Sequence, residues 1–180
     1  AAKQYSQMDR APFQVLDVRE LLDSTVVMLS RKIGDGGVTV VRDYDPDLPD
    51  IQGYGAELNQ VWTNLIDNAV QAMDGHGTLT LRAHRKEDAV VVEVADTGSG
   101  IPADVLPRIF EPFFTTKGVG EGTGLGLDIS WRIVVNKHQG DLAVRSEPGN
   151  TVFTVELPID GPQREAAIDD PGEPGEGLEP

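Results

Sequence analysis

The chain has 180 residues, no cysteine and a formal net charge of -15 at pH 7. The lack of cysteine excludes a disulfide framework, a thiolate metal site and a cysteine nucleophile. The acidic balance argues against nucleic acid or an anionic membrane as the main partner, so a bound phosphate must be held locally by backbone amides or a metal ion. No apolar run approaches the roughly 20 residues of a membrane span, and no signal peptide is visible. We therefore expect a cytoplasmic domain that makes no membrane contact.

The first part of the chain predicts a helix, a strand and a loop. Asp17-Val18-Arg19-Glu20 has the pattern of a capping box and begins the helix, which Gly34, Gly36 and Gly37 end. A strand over Val38 to Tyr44 and a loop over Asp45 to Asp50 follow. The residues expected on the buried face of the helix are Val18, Leu21, Leu22, Thr25, Met28 and Leu29.

The strongest helix pattern runs from Gly55 to Met73. Asn64 and Asn68 lie one turn apart at the border of its apolar face, with Glu57 and Gln71 close to the same line. Half-buried amides in mid-helix need partners, so this polar stripe is either a solvated edge or a binding surface. The apolar face itself follows the i, i+3, i+4, i+7 spacing through Leu58, Val61, Trp62, Leu65, Ile66, Ala69, Val70 and Met73.

Two hairpins and a long loop are predicted in the second half. After a tight turn at Asp74-Gly75-His76-Gly77, the β-branched runs Thr78 to Ala83 and Ala89 to Ala95 form the first hairpin. The region from Asp96 to Gly126 is dense in glycine, proline and threonine, and loops of this length are often functional.

A last helix is expected from about Leu125 to Gln139, with Gly140 as its C-cap and His138 as a cation in its final turn. The second hairpin, Asp141 to Glu147 with Thr151 to Leu157, follows it.

The order of elements predicts a two-layer α/β sandwich, in which a mixed sheet carries about three main helices on one face. We expect one domain over residues 13–160. Residues 1–12 fit the end of a preceding dimerisation helix or a linker, and residues 161–180, rich in glycine, proline and acidic side chains, fit a disordered tail.

Three loop motifs carry possible chemistry, and each has an ordinary structural alternative. DTGSGIP, Asp96 to Pro102, follows an apolar strand and offers an acidic acceptor for an exocyclic amine, with glycines that let backbone approach a ligand; alone, it is a turn. GEGTGLGLDIS, Gly120 to Ser130, precedes a helix N-terminus suited to phosphate, or simply caps that helix. FEPFFTTK, Phe110 to Lys117, ends in a lysine that either reaches a terminal phosphate or is exposed.

Taken together, NLIDNAVQA, DTGSGIP, FEPFFTTK, GTGLGL and PGNTVFTVELP resemble, in order and spacing, the N, G1, F, G2 and G3 boxes of sensor histidine kinase ATP-binding domains. The resemblance covers about Phe13 to Pro158 and implies the Bergerat ATP-binding fold, with ATP and Mg²⁺ as cofactors. These motifs resemble those of histidine kinases more than those of the gyrase, mismatch-repair or heat-shock chaperone ATPases, which share the fold.

The resemblance also implies a role for each matching residue. Asn68 would ligate Mg²⁺, and Asn64 would bond phosphate or a metal-bound water. Asp96 in the Gly98-containing loop would accept the adenine amino group, Gly100 and Ile101 would line the base, and Thr151 would reach adenine through water. Residues 111–120 would form a mobile lid that brings Lys117 to the phosphates. The backbone that cradles the phosphates would be that of Gly122, Thr123, Gly124, Leu125 and Gly126.

Two features depart from the family pattern. Gln71 stands where many relatives carry lysine, which leaves one phosphate contact uncharged. The phosphate-accepting histidine, followed by an acidic residue in the family, has no match: His76, His84 and His138 are followed by glycine, arginine and glutamine. We interpret these three as a turn residue, a strand-end surface residue and a helix-terminal cation.

The leading hypothesis is a catalytic domain that transfers the γ-phosphate of Mg-ATP to a histidine on a dimerisation domain outside this sequence, for relay to a response regulator. The parent protein would be a homodimer. A Ser/Thr kinase of the anti-sigma-factor type and a non-catalytic ATP-sensing module remain as alternatives, the second favoured by Gln71.

Overall fold

The computed structural model describes residues 13–35, 37–112, 114 and 126–162. The helices are α1 (Val18–Met28), α2 (Ser30–Asp35), α3 (Gly55–Ala72) and α4 (Gly126–Trp131), which continues as a π-helical turn (Arg132–Lys137); a short 3-10 helix spans Leu106–Arg108. The strands are β1 (Phe13–Leu16), β2 (Val38–Tyr44), β3 (Ile51–Tyr54), β4 (Gly77–Lys86), β5 (Ala89–Asp96), β6 (Asp141–Glu147) and β7 (Asn150–Pro158).

Five strands form one mixed sheet in the order β2-β4-β5-β7-β6. β2 runs parallel to β4, and the other neighbours are antiparallel. The side chains that point to one face alternate along each strand, and the helices cover that face. This arrangement confirms the predicted two-layer α/β sandwich.

The core lies between the sheet and α3. Trp62, Leu65 and Ile66 are fully buried, and all eight apolar residues predicted for this helix face are at most 8% exposed. They pack against alternate side chains of the sheet, such as Leu81, Val92 and Phe153. Burial of this face fixes the rotation of α3, which leaves Asn64 and Asn68 half-buried at its border, as predicted.

The small second sheet was not predicted. β1 and β3 pair antiparallel, with Phe13 opposite Tyr54 and Leu16 opposite Ile51. Each strand has only four residues, too few for a clear alternating pattern. Because β3 ends at Tyr54, which directly precedes α3, this sheet fixes the start of that helix.

The face of α1 differs from the prediction at its end. Asp17 caps the helix by accepting the backbone N–H of Arg19 at 3.0 Å. Val18, Leu22 and Thr25 are buried as expected, but Met28 is 63% exposed and Val26 is buried in its place. The helix ends at Met28 and α2 resumes at Ser30, so the predicted 3.6-residue periodicity does not continue across this junction.

The last helix also differs from the prediction. The regular turns stop at Trp131, and the His138 N–H bonds to the Ile133 carbonyl across five residues, as in a π-helix. Gln139, with φ 57°, adopts the left-handed conformation expected of Gly140. Position 140 requires glycine for another reason: a Cβ there would collide with the Glu156 carbonyl oxygen.

His138 is a buried structural residue and not a helix-terminal cation. Its side chain is 1% exposed. Nε2 accepts the Tyr54 N–H at 3.0 Å and Nδ1 lies 3.0 Å from the Ile133 carbonyl oxygen, an arrangement that requires the neutral ring with its proton on Nδ1. Burial lowers the pKa of His138, which favours the same neutral form.

Among the helices within the described residues, none combines the length and apolar composition needed to cross a membrane.

Candidate functional site

Asp96 lies at the last position of β5, in the middle of the sheet. The residue is 2% exposed, and its Oδ1 accepts the backbone N–H of Gly98 at 2.8 Å. Burial raises the pKa of this carboxyl, and the Gly98 hydrogen bond opposes the shift. The second carboxylate oxygen accepts no hydrogen bond from the described residues. Asp96 therefore presents an acceptor oxygen without a described partner. Burying a charged group in this way costs free energy of folding.

Thr151 is held beside Asp96 by strand register. The two residues are partners in the β5–β7 ladder. The Thr151 hydroxyl is 2.6 Å from the Ser146 hydroxyl of β6, and Ser146 accepts the backbone N–H of Ile101 at 2.8 Å. This chain of bonds ties the loop after Asp96 to the β6–β7 hairpin.

The loop from Asp96 to Ile101 is also packed tightly against its neighbours. The Ser99 N–H bonds to the carbonyl of Ala72 at the end of α3, and the Gly98 carbonyl accepts the N–H of Gly149. A Cβ on Gly98 would collide with the Ala72 carbonyl oxygen. Gly100 has φ +89°, and a Cβ there would lie 3.0 Å from the Glu147 carbonyl oxygen. Both glycines are required by close backbone approach.

Asn64 joins α3 to the start of α4. Its Nδ2 donates to the Gly126 carbonyl oxygen at 3.0 Å and to the Ser130 hydroxyl at 3.1 Å. Its Oδ1 accepts from Nε2 of Gln60 at 3.0 Å. The sequence prediction placed Asn64 and Gly126 in one site, and the structure brings them into direct contact.

Asn68, one turn further along α3, is half-buried, and its side chain makes no hydrogen bond within the part of the chain that the structure describes. Its neighbours on the outer side of the helix are paired: Nε2 of Gln71 donates to Asp67 at 2.9 Å, and Asp67 also pairs with Lys32 of α2 at 3.1 Å. The amide of Asn68 therefore remains available to a ligand.

Several predicted site residues lie outside the described residues. They are Lys117, Gly122, Thr123, Gly124 and Leu125. Of the three phenylalanines in FEPFFTTK, Phe110 packs edge-on against Phe153 of β7 with ring centroids 6.4 Å apart, and Phe114 lies under the Arg108 guanidinium at 4.5 Å. The first contact places Phe110 against β7, two residues from Thr151 along that strand.

A family model described as "Histidine kinase-, DNA gyrase B-, and HSP90-like ATPase" matches residues 53–161. The solved catalytic domain of histidine kinase ThkA superposes with a TM-score of 0.76 at 30% sequence identity, over 83% of this chain and 97% of that one. The chain belongs to this ATPase family. Within it, the chain groups with the catalytic domains of sensor histidine kinases, which confirms the resemblance found in the sequence. Membership of an ATP-binding family identifies ATP as the nucleotide.

Named relatives of this histidine kinase domain are longer. Sensory histidine kinase/phosphatase NtrB of Rhodobacter capsulatus is 36% identical over 171 residues, which is 87% of this chain and 47% of that protein. A structure of ThkA in complex with response regulator protein TrrA matches with a TM-score of 0.72 at 26% identity, over 82% of this chain and 42% of that one. The chain thus spans about half the length of the curated relative.

Three polar residues of this histidine kinase domain's site were missed from the sequence: Gln60, Ser130 and Ser146. Ser130 lies four residues after Gly126, a spacing at which a hydroxyl bonds back to the preceding turn. Ser146 lies opposite Thr151 in the predicted second hairpin, so the cross-strand register could have indicated their contact. Gln60 is one turn before Asn64, which suits an amide pair on a helix.

Proposed function

We propose that this domain binds Mg-ATP and transfers its γ-phosphate to a histidine on a dimerisation domain that is not present in this sequence. The observation that carries the proposal is the nearly buried Asp96 carboxylate with one oxygen free of described partners. An acidic acceptor held at the end of a sheet suits the exocyclic amine of adenine, because the amine donates to a charged oxygen in a low-dielectric place.

The packing around Asp96 supports the remaining proposed base contacts. Gly100 and Ile101 would line the base, and the Ile101 N–H bond to Ser146 holds this segment in place. Thr151 is the neighbour of Asp96 in the β5–β7 ladder and would contact adenine through water.

The residues present fit a magnesium ion. Mg²⁺ keeps several waters and takes one or two protein oxygens together with substrate phosphates. The Asn68 amide is half-buried and free of described hydrogen-bond partners, so its oxygen would serve as the protein ligand. When bound, the ion would neutralise charge on the triphosphate, a role suited to a chain whose net charge is -15.

The phosphates would be held next to α4. Gly126 begins this helix, and the backbone of Gly122 to Gly126 would cradle the phosphates, with Lys117 on the lid of residues 111–120. Gln71 is neutral and supplies no charge there, and its Nε2 donates to Asp67. Transfer would depend on holding the triphosphate in line with an external nucleophile and on stabilising charge, with no covalent step on this domain.

The histidines of this chain do not suit the role of phosphate acceptor. Both ring nitrogens of His138 are occupied by backbone groups. His76 and His84 are exposed, and neither is followed by an acidic residue. The acceptor would therefore belong to the dimerisation domain, in a homodimeric parent that passes the phosphate to a response regulator on the cytoplasmic side.

The test is to incubate the parent protein with ATP labelled on its terminal phosphate and to examine the stability of the protein-bound label. Acid-labile, alkali-stable label is expected for phosphohistidine. Acid-stable label would instead support the Ser/Thr kinase alternative, and nucleotide binding without any label would support an ATP-sensing module.

A pair of helix variants connects this activity to the site. Asn68→Ala should abolish labelling and lower Mg-ATP affinity at least about tenfold through the lost metal ligand. Asn59→Ala is the matched control, because Asn59 lies on the same helix, away from the polar stripe, and its Oδ1 accepts no hydrogen bond from the described residues. Full labelling of Asn68→Ala would contradict the metal role.

A further inference from the structure

The amide of Asn64 has a fixed orientation. The Gly126 carbonyl oxygen, 3.0 Å away, can only accept a hydrogen bond, so the NH₂ group of Asn64 must face it. The amide oxygen then points away from Gly126 and accepts from Gln60. The identity of the two ends of this amide is thus dictated by the backbone of α4.

Ser130 completes this arrangement. Its hydroxyl donates to the Gly126 carbonyl at 2.9 Å and accepts the second amide hydrogen of Asn64 at 3.1 Å. The residue has no exposed surface. Both hydrogens of the Asn64 amide are therefore occupied inside the protein, and the shared contact closes a triangle between α3 and α4.

What remains for a ligand is acceptor capacity alone. The oxygen of an amide has two lone pairs, and Gln60 occupies one of them on the exposed side of the helix. Phosphate oxygens at neutral pH accept hydrogen bonds, whereas water bound to a metal donates them. In this arrangement Asn64 suits a metal-bound water and cannot donate to phosphate without losing Ser130 or Gly126.

We propose that Ser130 is a positioning residue, which holds the Asn64 amide so that its carbonyl oxygen is presented to the water shell of Mg-ATP. The proposal rests on the proposed function, since it assigns a role at the same nucleotide site. It predicts that Ser130 acts through Asn64 and that its loss lowers the affinity for Mg-ATP more than that for metal-free ATP.

The test is a double-mutant cycle on nucleotide affinity. We measure ATP binding with and without Mg²⁺ for the wild type, Ser130→Ala, Asn64→Ala and the double variant. Ser130→Ala should weaken Mg-ATP binding about fivefold, the size of one hydrogen bond, and change metal-free ATP binding by less than about twofold. In the Asn64→Ala background, the Ser130 substitution should have no further effect.

A second readout needs no nucleotide. Exchange of the Asn64 side-chain amide hydrogens should be faster in Ser130→Ala than in the wild type, because one of its acceptors is lost. Thr25→Val is the matched control: Thr25 is 1% exposed, and its hydroxyl makes the same type of bond to the carbonyl four residues earlier, 2.9 Å from Leu21 in α1. It should leave both readouts unchanged.

The outcomes separate this proposal from the proposed function. No Mg-ATP binding by the wild type would overturn both. Normal wild-type binding with equal affinity in Ser130→Ala, or with the same loss in the Asn64→Ala background, would overturn the positioning role alone. Should Ser130→Ala fail to fold, Ser130→Cys keeps the side-chain shape with a weak donor and acceptor, and the same criteria apply to it.

Discussion

The two ends of the proposed nucleotide site are built differently. The adenine end (Asp96, Gly98, Gly100, Ile101 and Thr151) is fixed by the β5–β7 ladder and by backbone bonds from α3 and the β6–β7 hairpin. The phosphate end (Asn64, Asn68, Gly126 and Ser130) is joined by side-chain amide and hydroxyl bonds between two helices.

We infer from this difference that the proposed site combines constant base recognition with adjustable phosphate contacts. Backbone ladders cannot shift without breaking several bonds together, so the adenine end is held by the fold. The two bonds of Asn64 to α4 can be lost by the rotation of one side chain. We infer that substitutions at the adenine end alter binding and local stability together, while those at the phosphate end alter the response to metal.

The largest expected effect is at the adenine end. Asp96→Asn should weaken ATP binding about 100-fold, because a charged acceptor is lost and an amide NH₂ faces the adenine amine. Calorimetric titration checks this value. Asp141→Asn, an exposed residue at the start of β6, is the control and should bind ATP as the wild type does.

The same variant should also show what Asp96 costs the fold. Because burial raises the folded-state pKa of Asp96, the ionised carboxylate destabilises the protein fully above that pKa. Asp96→Asn should therefore be at least as stable as the wild type near neutral pH in urea unfolding. The advantage should shrink as pH falls through the folded-state pKa towards about 4, where the unfolded carboxyl also protonates. A clear loss of stability at neutral pH would contradict this view.

A smaller effect is expected at His138, which connects the residue before α3 to the π-helical turn. His138→Ala should lower the free energy of unfolding by about 2–3 kcal/mol, since it removes the partner of the half-buried Tyr54 N–H and leaves a cavity in place of the buried ring. His84→Ala, on the exposed part of β4, should change it by less than about 0.5 kcal/mol.

The pH dependence of His138 has a defined sign. Its folded-state pKa is lowered by burial, although Glu57 opposes the shift and Lys137 adds to it. Its contribution to stability is thus fully present above the unfolded pKa of about 6.5 and is lost as pH falls from there through the folded-state pKa. Thermal unfolding from pH 8 to 5 should show a steeper loss for the wild type than for His138→Ala; parallel curves would contradict the assignment.

The smallest effect concerns Gly100 at the adenine end and Gly149 in the turn between β6 and β7. Gly100 and Gly149 have similar positive φ angles, +89° and +86°, but a Cβ added at Gly100 would meet neighbouring backbone within 4 Å, whereas one at Gly149 would not. Alanine at either site should cost about 1 kcal/mol of strain, and Gly100→Ala about 1 kcal/mol more through contact with Glu147. Urea unfolding measures the difference. Only Gly100→Ala should also weaken ATP binding, and equal effects in both variants would show that packing there is unimportant.

Much of the fold could be predicted because its patterns are local. The apolar face of α3 and the bounds of β2 and β6 follow from periodicity and turn residues alone. β1 and β3 could not, because two four-residue strands are defined by their pairing across the chain. Met28 was placed wrongly because α1 ends there, which its own sequence does not indicate.

The candidate site divides in the same way. The resemblance to the family's motifs indicated Asn64, Asn68 and Asp96, because the order and spacing of those motifs can be recognised along the chain. The sequence did not distinguish the buried neutral His138 from a surface cation, since its partner Tyr54 lies 84 residues away in a separate element.

The main helices, the two hairpins, the buried face of α3 and the family to which the chain belongs follow from the sequence alone, because each is marked by a pattern of residues close together in the chain. The hydrogen bonds between these elements are decided only by packing in three dimensions. Asn64 and Ser130 are 66 residues apart, and their contact exists because the packing of two helices on one sheet leaves a carbonyl that only an amide NH₂ and a hydroxyl can satisfy.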